Sequence, residues 1–331
     1  MFTSDLIIET KKLIKPYINT PMLDKSIYLS TDKLEVYLKN EGLQHTKSFK
    51  LRGALSKLLR LTKEEKANGV VAVSSGNHGI AVSYACKLLK INNVLIFVPK
   101  NTPNAKTEKI KYYGAKLIID GDTYDDAHRI GMAYVKNHNM TYVDAYDNDP
   151  YIYAGQGTIG IEILEQIENI DSILVPIGGG GLITGIGTIA KSINPNIKII
   201  GVQTEACPAM KAAMDENIFY GEYESKESVC EALIGGIGHL AFEKSKTIID
   251  DILIVKESTI KEAVKHMILK EKIISEPSSC TVVAALMEYP NYDFGSKVAL
   301  ILSGSNIDEE VMKNILSNCN QESHILELGR G

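Results

Sequence analysis

The stretch Ser172-Ile173-Leu174-Val175-Pro176-Ile177-Gly178-Gly179-Gly180-Gly181-Leu182 decides how this chain is read. The run to Ile177 predicts a buried strand, and the apolar residues from Leu182 to Ile193 predict a helix. Four consecutive glycines between them let the backbone curl its N–H groups around an anion, and the helix start adds partial positive charge. We read a phosphate cradle; the alternative, a close-packed turn, rarely needs a run of glycines. Two nucleotide motifs are set aside. Leu182 stands where a P-loop needs its lysine, and Gly185-Ile186-Gly187-Thr188-Ile189-Ala190 matches G-x-G-x-x-A only within the expected helix.

Outward from this stretch the same pattern repeats. Strands are expected at 36–38, 70–73, 94–98, 116–119, 197–202, 252–255 and 298–302, with helices at 6–17, 80–89, 124–135, 159–167, 260–269 and 281–287 between or beside them. Short apolar strands alternating with helices predict an α/β fold of two open, mostly parallel sheets covered by helices, with a ligand cleft between them. Composition is that of a globular protein, 44% hydrophobic and 23% charged, and a net charge of -5 without a basic stripe argues against nucleic acid as a partner. The Lys-Asn clusters read as surface. Five cysteines without C-x-x-C spacing read as reduced thiols, Cys86 in the core, rather than as disulfides or a zinc site. No apolar run is long enough for a bilayer and Met1 to Asp5 lacks a signal pattern, so a cytoplasmic protein without a membrane partner is expected.

Three further stretches carry chemistry. In Thr46-Lys47-Ser48-Phe49-Lys50-Leu51-Arg52-Gly53-Ala54, Ser48 is the expected N-cap of a helix whose apolar positions are Leu51, Ala54, Leu55 and Leu58. Lys50 then lies in the first turn, where the positive helix end favours the neutral amine, a nucleophile toward aldehydes. A solvated surface lysine is the alternative. Ser74-Ser75-Gly76-Asn77-His78-Gly79 offers hydroxyls, an amide and an imidazole before a helix, either to hold a carboxylate or to cap that helix. Leu302-Ser303-Gly304-Ser305-Asn306 presents hydroxyls after the last strand. Loops that follow strands gather at the carboxyl edge of a sheet. An amine, a phosphate cradle and a carboxylate loop jointly demand a phosphorylated aldehyde that condenses with an amino acid, which is pyridoxal phosphate.

These stretches, with Ala154-Gly155-Gln156-Gly157-Thr158, resemble in order and spacing the fold-type II, tryptophan synthase β-like pyridoxal phosphate enzymes, and among them the threonine/serine dehydratase and serine racemase family, from about Thr20 to Asp308. The resemblance implies that Lys50 is the Schiff-base lysine, that Phe49 packs beside the ring, that Asn77 bonds the ring's oxygen and that Gly178, Gly179, Gly180 and Gly181 hold the phosphate. Ser303 would face the pyridine nitrogen and Glu276 would lie near the cofactor. A hydroxyl at that nitrogen makes a weaker electron sink than an aspartate, which suits elimination. Ser74, Ser75, Asn77 and His78 would bind the substrate, and Ser75, opposite Lys50, could exchange the Cα proton. The implied reaction turns L-threonine or L-serine into an α-keto acid and ammonia by α,β-elimination. Serine racemisation with side dehydratase activity is the alternative, and β-replacement a weaker one. The family further implies a homodimer, and the chain's departures from the family pattern leave a small, neutral hydroxy amino acid as the expected substrate. We expect a large cofactor-binding domain of residues 1–66 and 148–331 and a small substrate-loop domain of 67–147.

The chain also departs from the family. Lys47 stands where glycine commonly precedes Ser-Phe-Lys, and its ammonium would help keep Lys50 neutral if both face one pocket. Gln203 and Ala209 occupy positions where divalent-metal racemases carry acids, so no metal is expected. Tyr124-Asp125-Asp126-Ala127 lies where some relatives place a carboxylate-binding arginine, with Arg129 as the nearest substitute. About two dozen residues follow the last motif, too few for a regulatory domain.

Overall fold

The protein, analysed as a computed structural model, is described for residues 1–317 apart from 101, 103 and 148, and for all of their side chains but those of 104–106 and 125. Its strands are β1 (Asp24–Lys25), β2 (Glu35–Asn40), β3 (Val70–Val73), β4 (Val94–Val98), β5 (Lys116–Ile119), β6 (Thr141–Tyr142), β7 (Ser172–Pro176), β8 (Lys198–Thr204), β9 (Asp251–Val255) and β10 (Lys297–Leu302). They form a six-stranded sheet in the order β1-β2-β10-β7-β8-β9 and a four-stranded sheet in the order β5-β4-β3-β6. Among the described residues only the β1–β2 strand pair is antiparallel. The expected fold class is therefore observed. β3, β4 and β7 are buried along their whole length, which is why they read as unbroken apolar runs rather than as alternating ones.

Register places the loops. Leu302 at the end of β10 pairs with Asn40 at the end of β2, and Leu300 pairs with Leu174 near the end of β7. The chain consequently leaves all three strands at one edge, and the loops that begin at Glu41, Ile177 and Ser303 start side by side. The helix Lys50–Leu59 buries Leu51, Ala54, Leu55 and Leu58 in a core shared with Val70, Ala72, Ile80 and Val82, joining the lysine stretch to the four-stranded sheet. Each fully buried leucine stabilises that docking by about 1.5–3 kcal/mol.

Several helix boundaries differ from expectation, and at the starts of two helices the physical reason is plain. Helix Pro150–Gln166 begins well before Ile159, because Asp149 accepts from Tyr151 N at 2.9 Å and Pro150 suits the first position. Its glycines are packing positions. A Cβ on Gly155 would lie 2.4 Å from the Arg52 carbonyl, and one on Gly157 would lie 2.8 Å from the Gly185 carbonyl. Gly185 lies within helix Gly181–Ile193 as the sequence implied, and a Cβ there would come within 2.5 Å of Gly157 N. These glycines let three helices cross at backbone contact. Helix Pro277–Glu288 likewise starts earlier than 281, with Pro277 at its first position and Glu276 at its N-cap.

Beneath the lysine stretch lies a fully buried set of charges. Arg52 Nε and Nη2 donate to Glu41 at 2.7 and 2.8 Å, and Nη1 and Nη2 donate to Glu162 at 2.7 and 2.8 Å, with Thr158 Oγ1 at 3.0 Å. Lys39 Nζ donates to Glu162 at 2.6 Å and to the Pro21 carbonyl at 2.7 Å. Two cations face two carboxylates, and the set ties β2 and helix Pro150–Gln166 to the start of the lysine helix. Cys86, Cys207, Cys230 and Cys280 are buried free thiols, while Cys319 lies outside the described residues.

Candidate active site

The site is built from the starts of four helices. Lys50 opens helix Lys50–Leu59, but Ser48 does not cap it: Phe49 is the N-cap residue, without a side-chain cap bond. Ser48 instead pairs with Gly304 in an antiparallel bridge, and its Oγ is buried without a hydrogen-bond partner among the described residues. Pairing with the loop after β10 holds the backbone extended at Ser48 and sets the lysine opposite Ser303. Phe49 N donates to the Ser303 carbonyl at 3.0 Å.

Lys50 Nζ donates to the Ala145 carbonyl at 2.9 Å and lies 5.2 Å from the centre of the Phe49 ring. Burial lowers its pKa from 10.5 to about 8 against the opposing charges of Asp144 and Glu276. The amine is thus more easily neutral, as expected, with desolvation the principal cause. Lys47 does not contribute as expected. It is exposed, and its charge lowers the pKa of Lys109, after the larger effect of that residue's burial. Its backbone has φ 62, in the left-handed region that favours glycine.

The glycine loop lies one residue further along the same wall. A Cβ on Gly179 would sit 2.3 Å from the ring of Tyr146, the neighbour of Ala145; one on Gly178 would sit 2.9 Å from the Ala232 carbonyl; one on Gly180, at φ +88, would sit 2.6 Å from the Ala241 Cβ. Helix Gly181–Ile193 then starts without a side-chain cap. Three positions that refuse a side chain, followed by an uncapped helix start, are what an anion cradle requires. A phosphate-bearing aldehyde fits these residues: the cradle for its anion, the Lys50 amine for its carbonyl, and polar groups from the two loops that follow.

In the Ser74–Gly79 loop, Ser74, Ser75 and Asn77 are half-buried, and helix Asn77–Leu88 has no side-chain cap, so the capping alternative is not what is observed. Ser74 Oγ accepts from Gly76 N at 3.2 Å. Asn77 Nδ2 donates to both Glu276 oxygens at 2.9 and 3.1 Å, bringing together residues far apart in sequence. Burial raises the Glu276 pKa, opposed by the Asn77 bond. His78 is buried, with Nε2 2.9 Å from the Val143 carbonyl, and burial pushes its pKa down to about 3, so it serves as a neutral brace for the loop. In the third loop Ser303 Oγ lies 2.9 Å from Ser279 Oγ, and Gly304 N donates to Ser279 Oγ at 2.7 Å.

Residues 14–304 match the sequence profile of the family described as "Pyridoxal-phosphate dependent enzyme". The chain belongs to that family. Among the similar proteins, the catabolic L-threonine dehydratase TdcB of Staphylococcus aureus is 39% identical over 312 residues, which is 91% of this chain and 88% of that one. The L-threonine ammonia-lyase of Thermotoga maritima is 35% identical over 319 residues, 96% of this chain and 79% of that one. Among solved structures, maize serine racemase superposes with a TM-score of 0.90 at 29% identity, covering 96% of this chain and 97% of that one. The processed form of threonine deaminase isoform 2 from Solanum lycopersicum superposes with a TM-score of 0.88 at 28% identity, covering 95% of this chain and 87% of that one.

Pyridoxal phosphate is accordingly the cofactor of this family member, and the fold is that of the fold-type II enzymes. Sequence reasoning missed several groups around its site. The Ala145 carbonyl has no signature, because any residue supplies one; Ser279 and Tyr146 are distant in sequence from the groups they touch. Asn306 was visible within a motif but without a partner. Arg129 is exposed and pairs with Asp126 at 3.1 Å, so it is not drawn into the cleft. Gln203 spends both ends of its amide on backbone, donating to the Cys207 carbonyl at 3.3 Å and accepting from Lys211 N at 2.9 Å. No helix among the described residues is long and apolar enough to cross a membrane.

Proposed function

We propose that this enzyme is an ammonia-lyase that converts L-threonine, L-serine or both to the α-keto acid and ammonia. The observation that carries the reading is Lys50: a half-buried lysine whose amine, bonded to the carbonyl of Ala145 beside Tyr146 and within the field of Glu276, has its pKa lowered by desolvation to about 8. Bound pyridoxal phosphate supplies an aldehyde for amines and a conjugated ring that draws electron density from the substrate's Cα–H bond. The N–H groups of Gly178 to Gly181 hold the phosphate, Asn77 meets the ring oxygen, and Ser303, braced by Ser279, meets the ring nitrogen. Ser74 and Ser75, with the free N–H groups at the start of helix Asn77–Leu88, receive the substrate carboxylate. Lys50 takes the Cα proton as general base. The β-hydroxyl departs with a proton as water, so that the proton taken from Cα and the hydroxyl balance. The released enamine is hydrolysed to the α-keto acid and ammonia, and the Ala145 carbonyl accepts from the resting Lys50 amine.

We assign residues 1–66 and 148–331 to a cofactor-holding unit and 67–147 to a smaller substrate-loop unit, and propose a cytoplasmic homodimer as the working form. The Ser75 hydroxyl supports a second reading, serine racemisation beside elimination. The test is α-keto acid release by the loaded protein from L-threonine, L-serine and D-serine in turn. Release from an L-isomer, lost in Lys50→Ala, is expected; its absence from all three would overturn the lyase reading. Ser75→Ala should suppress turnover of D-serine far more than that of L-serine, and equal losses would remove the second reading.

A further inference from the structure

Asn306 joins the two sides of the cleft, and the chemistry derived above leaves it without a task. Its Oδ1 accepts from Lys109 Nζ at 2.7 Å, and its Nδ2 donates to the Thr46 carbonyl at 2.9 Å and to Asn77 Oδ1 at 2.6 Å. Its backbone N–H donates to Glu276 Oε2 at 3.2 Å. Asn77 and Lys109 belong to helices Asn77–Leu88 and Asn104–Tyr112, which pack with the four-stranded sheet, while Thr46 and Glu276 lie in loops of the six-stranded one.

The polarity of this chain of bonds is forced. An ammonium only donates and a carbonyl only accepts, so Lys109 and Thr46 fix which end of the Asn306 amide is oxygen. Nδ2 therefore faces Asn77, whose oxygen must turn toward it, and the Asn77 nitrogen must turn toward the Glu276 carboxylate. That nitrogen carries two hydrogens, and because the two Glu276 oxygens, at 2.9 and 3.1 Å, subtend a narrow angle, one hydrogen shared between them serves the carboxylate. We propose that Asn306 is the positioning residue of Asn77: it orients the Asn77 amide so that one Nδ2 hydrogen remains for an oxygen of the bound cofactor. The inference rests on the reading that Asn77 meets that oxygen. Without Asn306 the Asn77 oxygen loses its donor and the amide is held by the Glu276 contact at its other end, so its remaining hydrogen is less firmly aimed at the cofactor's oxygen.

The experiment is a double-mutant cycle on cofactor affinity, followed by the visible absorbance of bound pyridoxal phosphate during titration of the cofactor-free protein. Wild type, Asn77→Ala, Asn306→Ala and the double variant are compared. Each single variant should bind about tenfold more weakly, the weight of one hydrogen bond, and the double variant should bind no more weakly than Asn77→Ala alone. Losses that multiply to about a hundredfold would overturn the proposal, because Asn306 would then act independently of Asn77. Asn306→Asp serves as an isosteric variant that retains the Lys109 contact but offers Asn77 Oδ1 no donor. It should show the same weakening, and affinity like wild type would overturn the proposal. Failure of wild type to take up cofactor, or a visible band that survives Lys50→Ala unchanged, would sink the underlying site reading and this proposal with it. That outcome is distinct from multiplying losses, which sink the role of Asn306 alone.

Discussion

Arg52→Lys isolates the buried charges beneath the helix that Lys50 opens. The guanidinium makes two two-point contacts, with Glu41 at 2.7 and 2.8 Å and with Glu162 at 2.7 and 2.8 Å, so its pKa stays high although burial opposes it. An ammonium is a point charge and cannot reproduce both contacts. The loss falls unequally. Glu162 keeps Lys39 at 2.6 Å, whereas among the described residues Glu41 keeps only the Gln44 amide at 3.2 Å. The variant therefore leaves Glu41 as a buried, nearly unpaired carboxylate, at a cost of about 3–5 kcal/mol. At about 2 °C per kcal/mol for a chain of this size, the melting temperature should fall by roughly 6–10 °C. Thermal unfolding followed by circular dichroism at pH 7 measures it. Adding Glu41→Gln removes the stranded charge and should restore part of the loss. A single variant within about 1 kcal/mol of wild type, or a double variant no more stable than the single, would refute the assignment of the penalty to Glu41.

Three other outcomes follow from the site. Gly179→Ala brings a methyl group to 2.3 Å from the Tyr146 ring, so the loop or the ring must move; pyridoxal phosphate affinity should fall by about tenfold or more, and unchanged affinity would contradict the cradle. Lys47→Gly relieves a left-handed backbone at φ 62 and should stabilise the protein by about 1 kcal/mol in thermal unfolding, a loss of stability being the contrary result. Because only the neutral amine attacks an aldehyde, the rate of cofactor uptake should rise with pH through about 8 and then level off. Asp144 favours the charged form of Lys50, so Asp144→Asn should move that midpoint downward, and an unmoved midpoint would remove Asp144 from the account.

What the sequence showed and what it hid divide along a physical line. β3, β4 and β7 were legible because strands covered on both faces need unbroken apolar runs, and the run of glycines was legible because Gly178, Gly179 and Gly180 leave no room for a Cβ. The glycines of helix Pro150–Gln166 were not, since a helix crossing is a property of two or three segments at once. Buried charge was hidden most completely. Lys39, Glu41, Arg52 and Glu162 have the composition of a solvated face, and only the fold makes them each other's solvent. The contrast between two lysines in the same part of the molecule shows why this matters. Lys39 Nζ meets a carboxylate at 2.6 Å, whereas the hydrogen bond described for Lys50 Nζ is to a neutral carbonyl at 2.9 Å. Burial costs both ammonium groups their water, but a contacting counter-charge compensates one of them, while the nearby Asp144 and Glu276 do not outweigh desolvation at the other. The first lysine can only be structural. The second is left with an amine that gives up its proton more readily, which is what its proposed role as a nucleophile asks of it.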